Sequence, residues 1–560
     1  MKKLILFFCL IFTIFFLGKD LLPTNNYFFT FHDETQPARI QQFVINLKNL
    51  QIPPRIAPNF SFNLGYPVFN YYAPTSYWIT SFFHLIGFDV LTSLKISFLL
   101  SILVAFISFY LFSSLFFGFY QSIFASLLYA SSPWIAVEIF VRGNLAEMWF
   151  LSLLPLVFWS LYKNSKIQSR KFFVLTIIIL GASLTTHNVL SFTLLPLTIL
   201  FILILKNKQK NILALILALL LNSYFFIPAI LEINQTWATT IAKHTDYASH
   251  LLCLWQLWKA PFWGYGGSGP DCINDGMSFM LGKPQIIFSS IGFLFLIYLI
   301  YKKNKNRIIS LYFILLTFTF IYLTTYLSYP LSKLLNNYLG FFQFPWRFLV
   351  FILFGISFFS AAIKSPKKIN FLKFLLVILG LFVVFYNAKF FTKDKIQDLK
   401  LKDDLLKKEY ISDMVAYKVA EYLPKIVDYQ TWLKHEPKKQ EKYLIDNKLN
   451  DGFFVHYLDK NETTPIILEN NYFYKKAKID KNEKIIINIS YMPYWKILIN
   501  EKEFFPNKFD KLGRPIIKVH KNSLLVVKYE QTQIEKISNI ISLLTFFSLV
   551  FILKKSKPVL

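Results

Sequence analysis

The chain has 560 residues, of which 55% are hydrophobic, and its mean hydropathy is +0.44. A soluble domain of this size does not need so much apolar surface, so the composition excludes a soluble globular protein and places most of the chain in a lipid bilayer. The formal net charge of +28 would fit a nucleic-acid partner, but in a membrane protein the position of the basic residues matters more than their sum.

Apolar segments long enough to cross a membrane recur along the whole chain. A helix needs about 20 residues to cross the ~30 Å hydrocarbon layer. We predict spans at 3–18, 92–116, 119–137, 147–162, 172–188, 190–205, 211–230, 286–301, 308–327, 345–363, 370–387 and 537–553. The first lacks a clear cleavage site after Gly18, so we expect it to be retained. The expected fold class is a mainly α, polytopic integral membrane protein with about twelve transmembrane helices.

Clusters of basic residues occupy every second connection between these spans. They are Lys2 with Lys3, 163–171, 206–210, 302–307, 364–368 and 554–557. The positive-inside rule assigns such connections to the cytoplasm. Both termini are then cytoplasmic, and the loops 19–91, 231–285 and 388–536 lie outside. The basic excess is thus mainly a topology signal, and we expect no nucleic-acid partner.

The character of the chain changes after the polytopic part, which we assign to 1–387. Residues 388–440 are charged and helix-like, whereas 450–530 contain short alternating apolar runs such as KIIINIS and SLLVVKYE, which are typical of strands. We therefore predict a small α+β, β-rich extracytoplasmic domain at 388–536. A C-terminal transmembrane helix and a basic cytoplasmic tail follow at 537–560.

The acidic triplet His32-Asp33-Glu34 stands at the start of the first outer loop. Carboxylates in this position can meet a substrate at the membrane face, as a general base or as metal ligands. The alternative is that they are solvated loop charges, or caps for a helix that starts near Gln36. Arg39 follows within that helix-like stretch.

A second charged group lies between the third and fourth predicted spans, where Glu138, Arg142 and Glu147 stand among apolar residues. A charge at the centre of a membrane helix costs ~3 kcal/mol, so such groups pair or serve a site. Glu138 and Arg142 are spaced i,i+4 and can form a structural pair. Alternatively, Arg142 binds a phosphate through its planar guanidinium, and Glu147 shapes the pocket or holds a metal.

Three further signals lie on the same predicted face. His187 falls in a tight turn between two spans, where a structural hydrogen bond is the alternative to a role at a site. The glycine-rich stretch 263–269 matches no phosphate-loop spacing, so we interpret the loop 244–282 as a lid over a lipid-linked substrate. Trp346 and Arg347 begin a span from the outside, and Arg347 is either a lipid anchor or a second phosphate ligand.

The three cysteines give little information about function. Cys9 lies in the first span as an inert apolar side chain. Cys253 and Cys272 share one outer loop, where a disulfide and two free thiols are both open alternatives. No CxxC motif and no clustered Cys/His pattern is present in the sequence.

The combined motifs resemble a bacterial family known as 6-pyruvoyl-tetrahydropterin synthase-related membrane proteins. The matching stretches are HDETQPARI, NLGYP, NYYAP, RGNLAEMW, TTHN, PFWGYGGSGP, FPWRF, AEYLP and YMPYW. Nothing in the chain looks like a soluble pterin synthase. The family is in turn similar to the GT-C superfamily of membrane glycosyltransferases and to YfhO-type membrane proteins.

The resemblance implies a glycosyltransferase at the outer face of the bacterial cytoplasmic membrane. GT-C enzymes take a sugar from a polyprenyl-phosphate carrier and use acidic residues of the first outer loop, where Asp33 and Glu34 match in place and type. The implied reaction is inverting hexosyl or pentosyl transfer to a glycan, lipid or protein acceptor, with membrane lipids as surroundings. Asp33, with Glu34 as the alternate, would be the general base.

The same resemblance assigns the remaining polar residues to substrate binding. Arg142 and Arg347 would stabilise the departing phosphate. The full expected set is His32, Arg39, Arg142, Glu147, His187, Trp346 and Arg347. No cofactor is required, and a divalent metal is compatible with the reaction although no clear ligand set is visible.

Two other functions are compatible with the same sequence. A lipid or glycan transporter predicts paired charges deep within several spans, whereas most charges here stand at span ends. A non-catalytic assembly or scaffold protein of cell-envelope biogenesis would recruit partners through the outer domain, and the acidic triplet would then have no role.

Overall fold

The computed structural model of the chain describes the following residues: 1–29, 32–243, 245–260, 263–264, 267–269, 272–363, 370–392, 399–401, 420–433, 449, 452–458 and 463–554. These residues form a mainly helical part that is followed by a β-rich part and a last helix.

The longer helices follow the apolar segments of the sequence. In chain order they are α1 (Lys2–Leu17), α2 (Gln36–Lys48), α3 (Thr75–Leu85), α4 (Val90–Ser113), α5 (Phe119–Ala130), α6 (Leu145–Asn164), α7 (Arg170–Leu184), α8 (Asn188–Ile204), α9 (Lys208–Leu221), α10 (Ser223–Leu231), α11 (Lys283–Tyr301), α12 (Arg307–Thr324), α13 (Leu349–Ser360), α14 (Asn370–Asn387) and α15 (Gln533–Lys554). Each predicted span falls on one or two of them.

The predicted number of spans is not confirmed. Among the described residues, six helices are long and apolar enough to cross a membrane, or up to nine if three bent pairs each count as one span. The bent pairs are α5 with 133–141, α9 with α10, and 336–342 with 345–360. The other three predicted spans fall on α1, α7 and α8, which have only 16, 15 and 17 residues.

Aromatic side chains form much of the core between the helices. Phe354 of α13 contacts Phe158 of α6 and Phe313 of α12, with ring centroids 5.3 and 5.4 Å apart. Such pairs add to the burial of apolar area. Helices α11 and α13 approach closely because Gly292 has no side chain: a Cβ there would collide with the carbonyl oxygen of Phe359. Small residues of this kind are typical of membrane helix contacts.

The predicted strands between 450 and 530 are confirmed as a two-sheet structure. The strands are β3 (Val455–Tyr457), β4 (Ile466–Asn470), β5 (Tyr474–Lys478), β6 (Glu483–Ile487), β7 (Trp495–Ile499), β8 (Lys502–Phe504), β9 (Ile516–Val519) and β10 (Leu524–Tyr529). One antiparallel sheet has the order β4-β5-β10-β7-β8 and the other the order β3-β6-β9. Alternating apolar side chains from both sheets share one core.

The prediction of helix across 388–440 is wrong where the structure describes a strand. Residues Leu399–Leu401 form β2, which pairs antiparallel with β1 (Tyr27–Phe29) beside the acidic triplet. A partner strand overrides the weak helix propensity of such a short segment. Residues 393–398, 402–419 and 434–440 lie outside the described residues, so the prediction is untested there.

The last helix is joined to the first outer loop by a buried polar cluster. The guanidinium of Arg55 donates to Oδ1 of Asn70 at 3.0 Å and to Oδ1 of Asn539 at 2.8 Å. Asn70 Nδ2 donates to Oε1 of Glu535 at 2.6 Å. Because Arg55 and Glu535 are buried, each needs the partners that the other segment supplies. This cluster fixes the outer loop against α15.

Candidate functional site

A break in the helical backbone creates the centre of the site. After α5 the chain bends by 41° and runs through a π-helical turn at 137–141. Gly143 then adopts φ +60°, a left-handed conformation that glycine takes without strain. Asn144 starts α6, and its Oδ1 accepts a hydrogen bond from the Glu147 backbone N–H at 3.0 Å. Single π-turns often mark functional positions because they redirect side chains.

The break places Arg142 between two buried carboxylates. Its Nη1 donates to both oxygens of Glu138, at 2.6 and 2.8 Å. Nη1 and Nη2 donate to the two oxygens of Glu147 at 2.7 and 2.8 Å, a bidentate pair. Of the two alternatives that the sequence left open for Arg142, the structure shows the Glu138–Arg142 pair, and Glu147 is a second partner.

Glu147 also contacts two side chains that are distant from it in sequence. Nε2 of His187 lies 3.4 Å from its Oε1, and Nε of Arg347 lies 3.2 Å from the same oxygen. His187 Nδ1 accepts from the Leu190 backbone N–H, so the ring proton lies on Nε2 and faces Glu147. We call Glu138, Arg142, Glu147, His187 and Arg347 the ionic hub.

Trp346 covers the hub on one side. Its ring centroid lies 4.4 Å from the Arg142 guanidinium carbon, within the range of a cation–π contact. Its indole N–H donates to Oγ of Ser268 at 2.9 Å, and the same Oγ lies 2.8 Å from Nδ1 of His250. Ser268 therefore connects the glycine-rich stretch to the hub.

The loop that carries Ser268 is fastened at several points. Cys253 and Cys272 form a disulfide, which settles the alternative that the sequence left open. Asp275 accepts from the Gly269 backbone N–H at 2.7 Å and from the side chain of Gln256. These contacts hold the loop over Trp346, while its role as a lid stays a prediction.

The acidic triplet is attached to the hub through the backbone. The backbone N–H of His32 donates to Val141 O at 3.0 Å, and that of Asp33 donates to Arg142 O at 2.9 Å. The triplet thus lies against the π-turn that carries the hub. Partial desolvation of the His32 ring lowers its pKa although much of the residue is exposed, and the nearby charge of Asp33 opposes this effect.

The carboxylate of Asp33 is half-buried and forms few hydrogen bonds with the described residues. Among the described residues, its single hydrogen bond is a long one, 3.5 Å, from Gln36 Nε2. Its charge nevertheless acts on Arg39, Arg142 and Arg347, so it faces the same space as these cations. Glu34 lies on the same turn and is also half-buried.

Arg39 is held near Asp33 by aromatic residues. Helix α2 begins at Gln36, as the sequence indicated, and places Arg39 one turn later. Nη1 of Arg39 donates to the Tyr77 hydroxyl at 3.2 Å, and the guanidinium lies 4.6 Å from the Tyr72 ring centroid. Its buried Nε has no hydrogen-bond partner among the described residues.

The structure brings together most of the predicted site residues. Asp33, Arg39, Arg142, Glu147, His187, Trp346 and Arg347 converge, whereas His32 stays exposed at the rim. Sequence reasoning missed Tyr72, Tyr77 and Tyr422, whose electrostatic interactions with Arg39 place them in the same space. Single tyrosines at a membrane interface carry no distinguishing signal, although Tyr422 lies in the AEYLP motif.

The part of the chain that the structure describes contains no group of three or more His, Cys, Asp or Glu side chains arranged to hold a metal ion. The two carboxylates of the hub are occupied by arginine and histidine donors instead.

Comparison with known proteins gives remote structural likenesses only. No protein-family model and no curated protein sequence matches the chain. One similar solved structure is arabinofuranosyltransferase AftD from Mycobacteria, with 12% identity and a TM-score of 0.43 over 69% of this chain and 26% of that chain.

Two other similar structures are of the Archaeoglobus fulgidus oligosaccharyltransferase. One carries a tethered acceptor peptide and has 11% identity and a TM-score of 0.46, over 76% of this chain and 60% of that chain. The other, AglB with an inhibitory peptide and a dolichol-phosphate, has 10% identity and a TM-score of 0.42, over 79% and 59%. The chain thus spans about a quarter of AftD and about 60% of the archaeal protein. At such low similarity, any functional case rests on the site itself.

Proposed function

We propose that this chain is a membrane glycosyltransferase that moves a sugar from a polyprenyl-phosphate carrier to a glycan, lipid or protein acceptor. One observation carries the proposal: Asp33 presents a half-buried carboxylate with one long hydrogen bond, and the backbone of Arg142 fixes it beside the arginines of the buried ionic hub. A base next to cations at a membrane face is what transfer from an anionic lipid carrier requires.

The proposed step is an in-line displacement. Asp33 takes the proton of the acceptor hydroxyl, and the hydroxyl oxygen attacks the anomeric carbon of the sugar. The bond from this carbon to the phosphate oxygen breaks, and its electron pair leaves with the polyprenyl phosphate. Attack opposite to the leaving group inverts the anomeric centre. Glu34 is the alternate base, because it stands on the same turn.

The phosphate-binding role is best suited to Arg347 and Arg39. Arg142 gives four hydrogen bonds to carboxylates, so it holds Glu138 and Glu147 rather than a ligand. Arg347 binds Gln343 Oε1 through Nη1 and faces Glu147 through Nε, and among the described residues its Nη2 has no hydrogen bond. A guanidinium with a donor left over can stabilise the departing phosphate.

The remaining predicted residues act through these groups. His187 and Glu147 orient Arg347, and Trp346 shields Arg142 from water. His32 lies next to Asp33 and contacts the acceptor in this proposal. No step is assigned to a metal ion. We further propose the outer face of a bacterial cytoplasmic membrane as the location, with both termini inside, in the family of pterin-synthase-related membrane proteins.

The transporter alternative receives no support from the charges. It predicts paired charges deep within several spans, whereas the buried ion pairs described at Arg55 and at Arg142 both lie at helix ends.

The double change Asp33→Asn with Glu34→Gln tests the proposal in cells. A strain that carries the well-expressed variant should lose a surface glycan and accumulate a polyprenyl-phosphate-linked sugar, as measured by mass spectrometry of glycans and lipid extracts. Normal glycans with no accumulated carrier would reject the catalytic role. Deleting 388–530 distinguishes the glycosyltransferase from a scaffold protein. The scaffold hypothesis predicts that this deletion abolishes function, whereas the double change at Asp33 and Glu34 has no effect.

A further inference from the structure

A second cavity, of about 360 Å³, lies outside the ionic hub. Three separate parts of the chain line it, and none of the hub residues does. Its charged and aromatic lining consists of Lys259, Lys283 and Lys389 with the rings of Trp263, Tyr386 and Phe390. We call it the lysine cavity.

The lysine cavity carries three positive charges without a neighbouring carboxylate in the part of the chain that the structure describes. No Asp or Glu side chain lines it, and among the described residues none of the three lysines forms an ion pair. All three side chains are exposed. Lys389 lies over the rings of Tyr386 and Phe390, with its Nζ 4.0 and 5.2 Å from the centroids. Three lysines that line one cavity produce a positive potential there, which favours an anion.

The position of the cavity matches the headgroup layer of a membrane. Lys283 is the first residue of α11, and Lys389 lies just beyond the end of α14 at Asn387. The side-chain amide of Asn387 donates to Ser131 O at 2.9 Å and to Gln285 Oε1 at 3.2 Å, so the two helix ends are tied together. Aromatic rings beside lysines are typical of this layer.

The alternative is that each lysine is an ordinary anchor at a helix end. A sequence prediction and an observation of the structure argue against this alternative. The basic-loop pattern assigns this side to the outside, where the positive-inside rule predicts few lysines. In addition, Lys259 belongs to a loop rather than a helix end, yet it converges on the same cavity.

We propose that the lysine cavity binds the phosphate of a membrane lipid, with the three ammonium groups around the headgroup and the rings against its apolar part. The phosphate can come from an anionic phospholipid or from a polyprenyl phosphate, since both present the same chemistry. The proposal does not depend on glycosyl transfer.

The test is lipid titration of the purified full-length protein in detergent, followed by native mass spectrometry. The probes are phosphatidylglycerol, a polyprenyl phosphate, and diacylglycerol as the phosphate-free control. The triple variant Lys259→Gln, Lys283→Gln, Lys389→Gln should bind at least one phosphate lipid about tenfold more weakly or worse than the wild type. The matched variant Lys333→Gln, Lys425→Gln, Lys508→Gln removes three exposed lysines elsewhere and should bind as the wild type does.

The pattern of loss identifies the lipid. A loss confined to phosphatidylglycerol indicates a bulk phospholipid, a loss confined to polyprenyl phosphate indicates the carrier, and a loss of both indicates recognition of the phosphate alone. Equal affinities of the triple variant and the wild type for both lipids, or an equal loss in the matched variant, would overturn the proposal. If the triple variant aggregates, the single variants Lys389→Gln and Lys389→Arg replace it. Lys389→Gln should then weaken lipid binding, and Lys389→Arg should keep it. Equal affinity of both single variants and the wild type would overturn the proposal.

Discussion

Arg142 and Glu147 form a bidentate ion pair in which both terminal nitrogens of the guanidinium meet both oxygens of the carboxylate, at 2.7 and 2.8 Å. The pair is buried at the edge of the helical part, and the backbone of the same arginine fixes Asp33. One residue therefore holds the proposed base by its main chain and the two carboxylates of the ionic hub by its side chain. This coupling makes the hub sensitive to single changes.

Removing Glu147 should strongly destabilise the protein. The Glu147→Ala variant leaves Arg142, His187 and Arg347 buried with one carboxylate between them, and breaking a buried pair in this way costs about 3–5 kcal/mol. Thermal unfolding in detergent should show a large drop in the midpoint. Glu503→Ala breaks an exposed pair with Lys496 and should change stability by less than about 1 kcal/mol. Equal midpoints for the two variants would contradict the role of the hub.

Changes at Arg347 should affect turnover more than folding. Loss of the uncommitted Nη2 donor in Arg347→Gln should lower kcat by about 10²–10³, the usual effect of removing one transition-state donor. Arg347→Lys should recover only part of the rate, because an ammonium does not reproduce the planar fork. Exposed Arg307, the first residue of α12, is the control, and Arg307→Gln should keep full activity. An effect on KM alone would point to ground-state binding instead.

The disulfide should stabilise the loop that holds Trp346. The double change Cys253→Ser, Cys272→Ser opens a link between residues 19 positions apart, and closing a loop of this size contributes about 3 kcal/mol. The variant should unfold at a lower temperature and transfer sugar more slowly, because Ser268 is then less firmly placed. A reductant should lower the unfolding midpoint of the wild type and leave that of the variant unchanged. A shift of both by the same amount would show that the effect lies elsewhere.

Stability should depend on pH through Glu232, which follows α10 and accepts a hydrogen bond from the Thr532 hydroxyl at 2.7 Å. Burial raises the pKa of Glu232 to about 7 from an ordinary value of 4.5. Between these values the folded state binds more protons than the unfolded state, so this residue's contribution to stability is lost as the pH rises through 7. Glu232→Gln should therefore unfold at a higher temperature than the wild type at pH 8, and the difference should shrink toward pH 4.5.

A substitution of an exposed glutamate is the control for that measurement. Glu501→Gln should leave the dependence of the unfolding temperature on pH as it is in the wild type. If Glu232→Gln and the wild type differ equally at every pH, the buried carboxylate does not titrate with folding.

Local patterns in the sequence predicted the helices, but they did not predict how the helices end. Hydropathy is a local property, so every predicted span falls on helix. The i,i+4 spacing of Glu138 and Arg142 indicated their pairing as one of two alternatives. The number of crossings was harder, because bends such as the one after α5 depend on packing. The strand at 399–401 was missed because its partner lies almost four hundred residues earlier at Tyr27–Phe29.

For the site as well, the sequence predicted individual residues but not the contacts between them. The sequence indicated Asp33, Glu147 and Arg347 as separate candidates on one face. It could not show that Glu147 joins His187 and Arg347, since those contacts bridge 40 and 200 residues of chain. Nor could it show that Arg142 uses its side-chain donors on two carboxylates, which moves the proposed phosphate contact to Arg347.

The most direct measurement compares single variants of the acidic triplet in a purified system. The protein is reconstituted with the lipid-linked sugar that accumulates in a deletion strain, and release of polyprenyl phosphate is followed by mass spectrometry. Asp33→Asn should lower turnover by about 10²–10⁴ without changing the unfolding temperature, while the exposed control Asp246→Asn should match the wild type. Wild-type turnover by a folded Asp33→Asn variant would contradict the assignment of Asp33 as the general base.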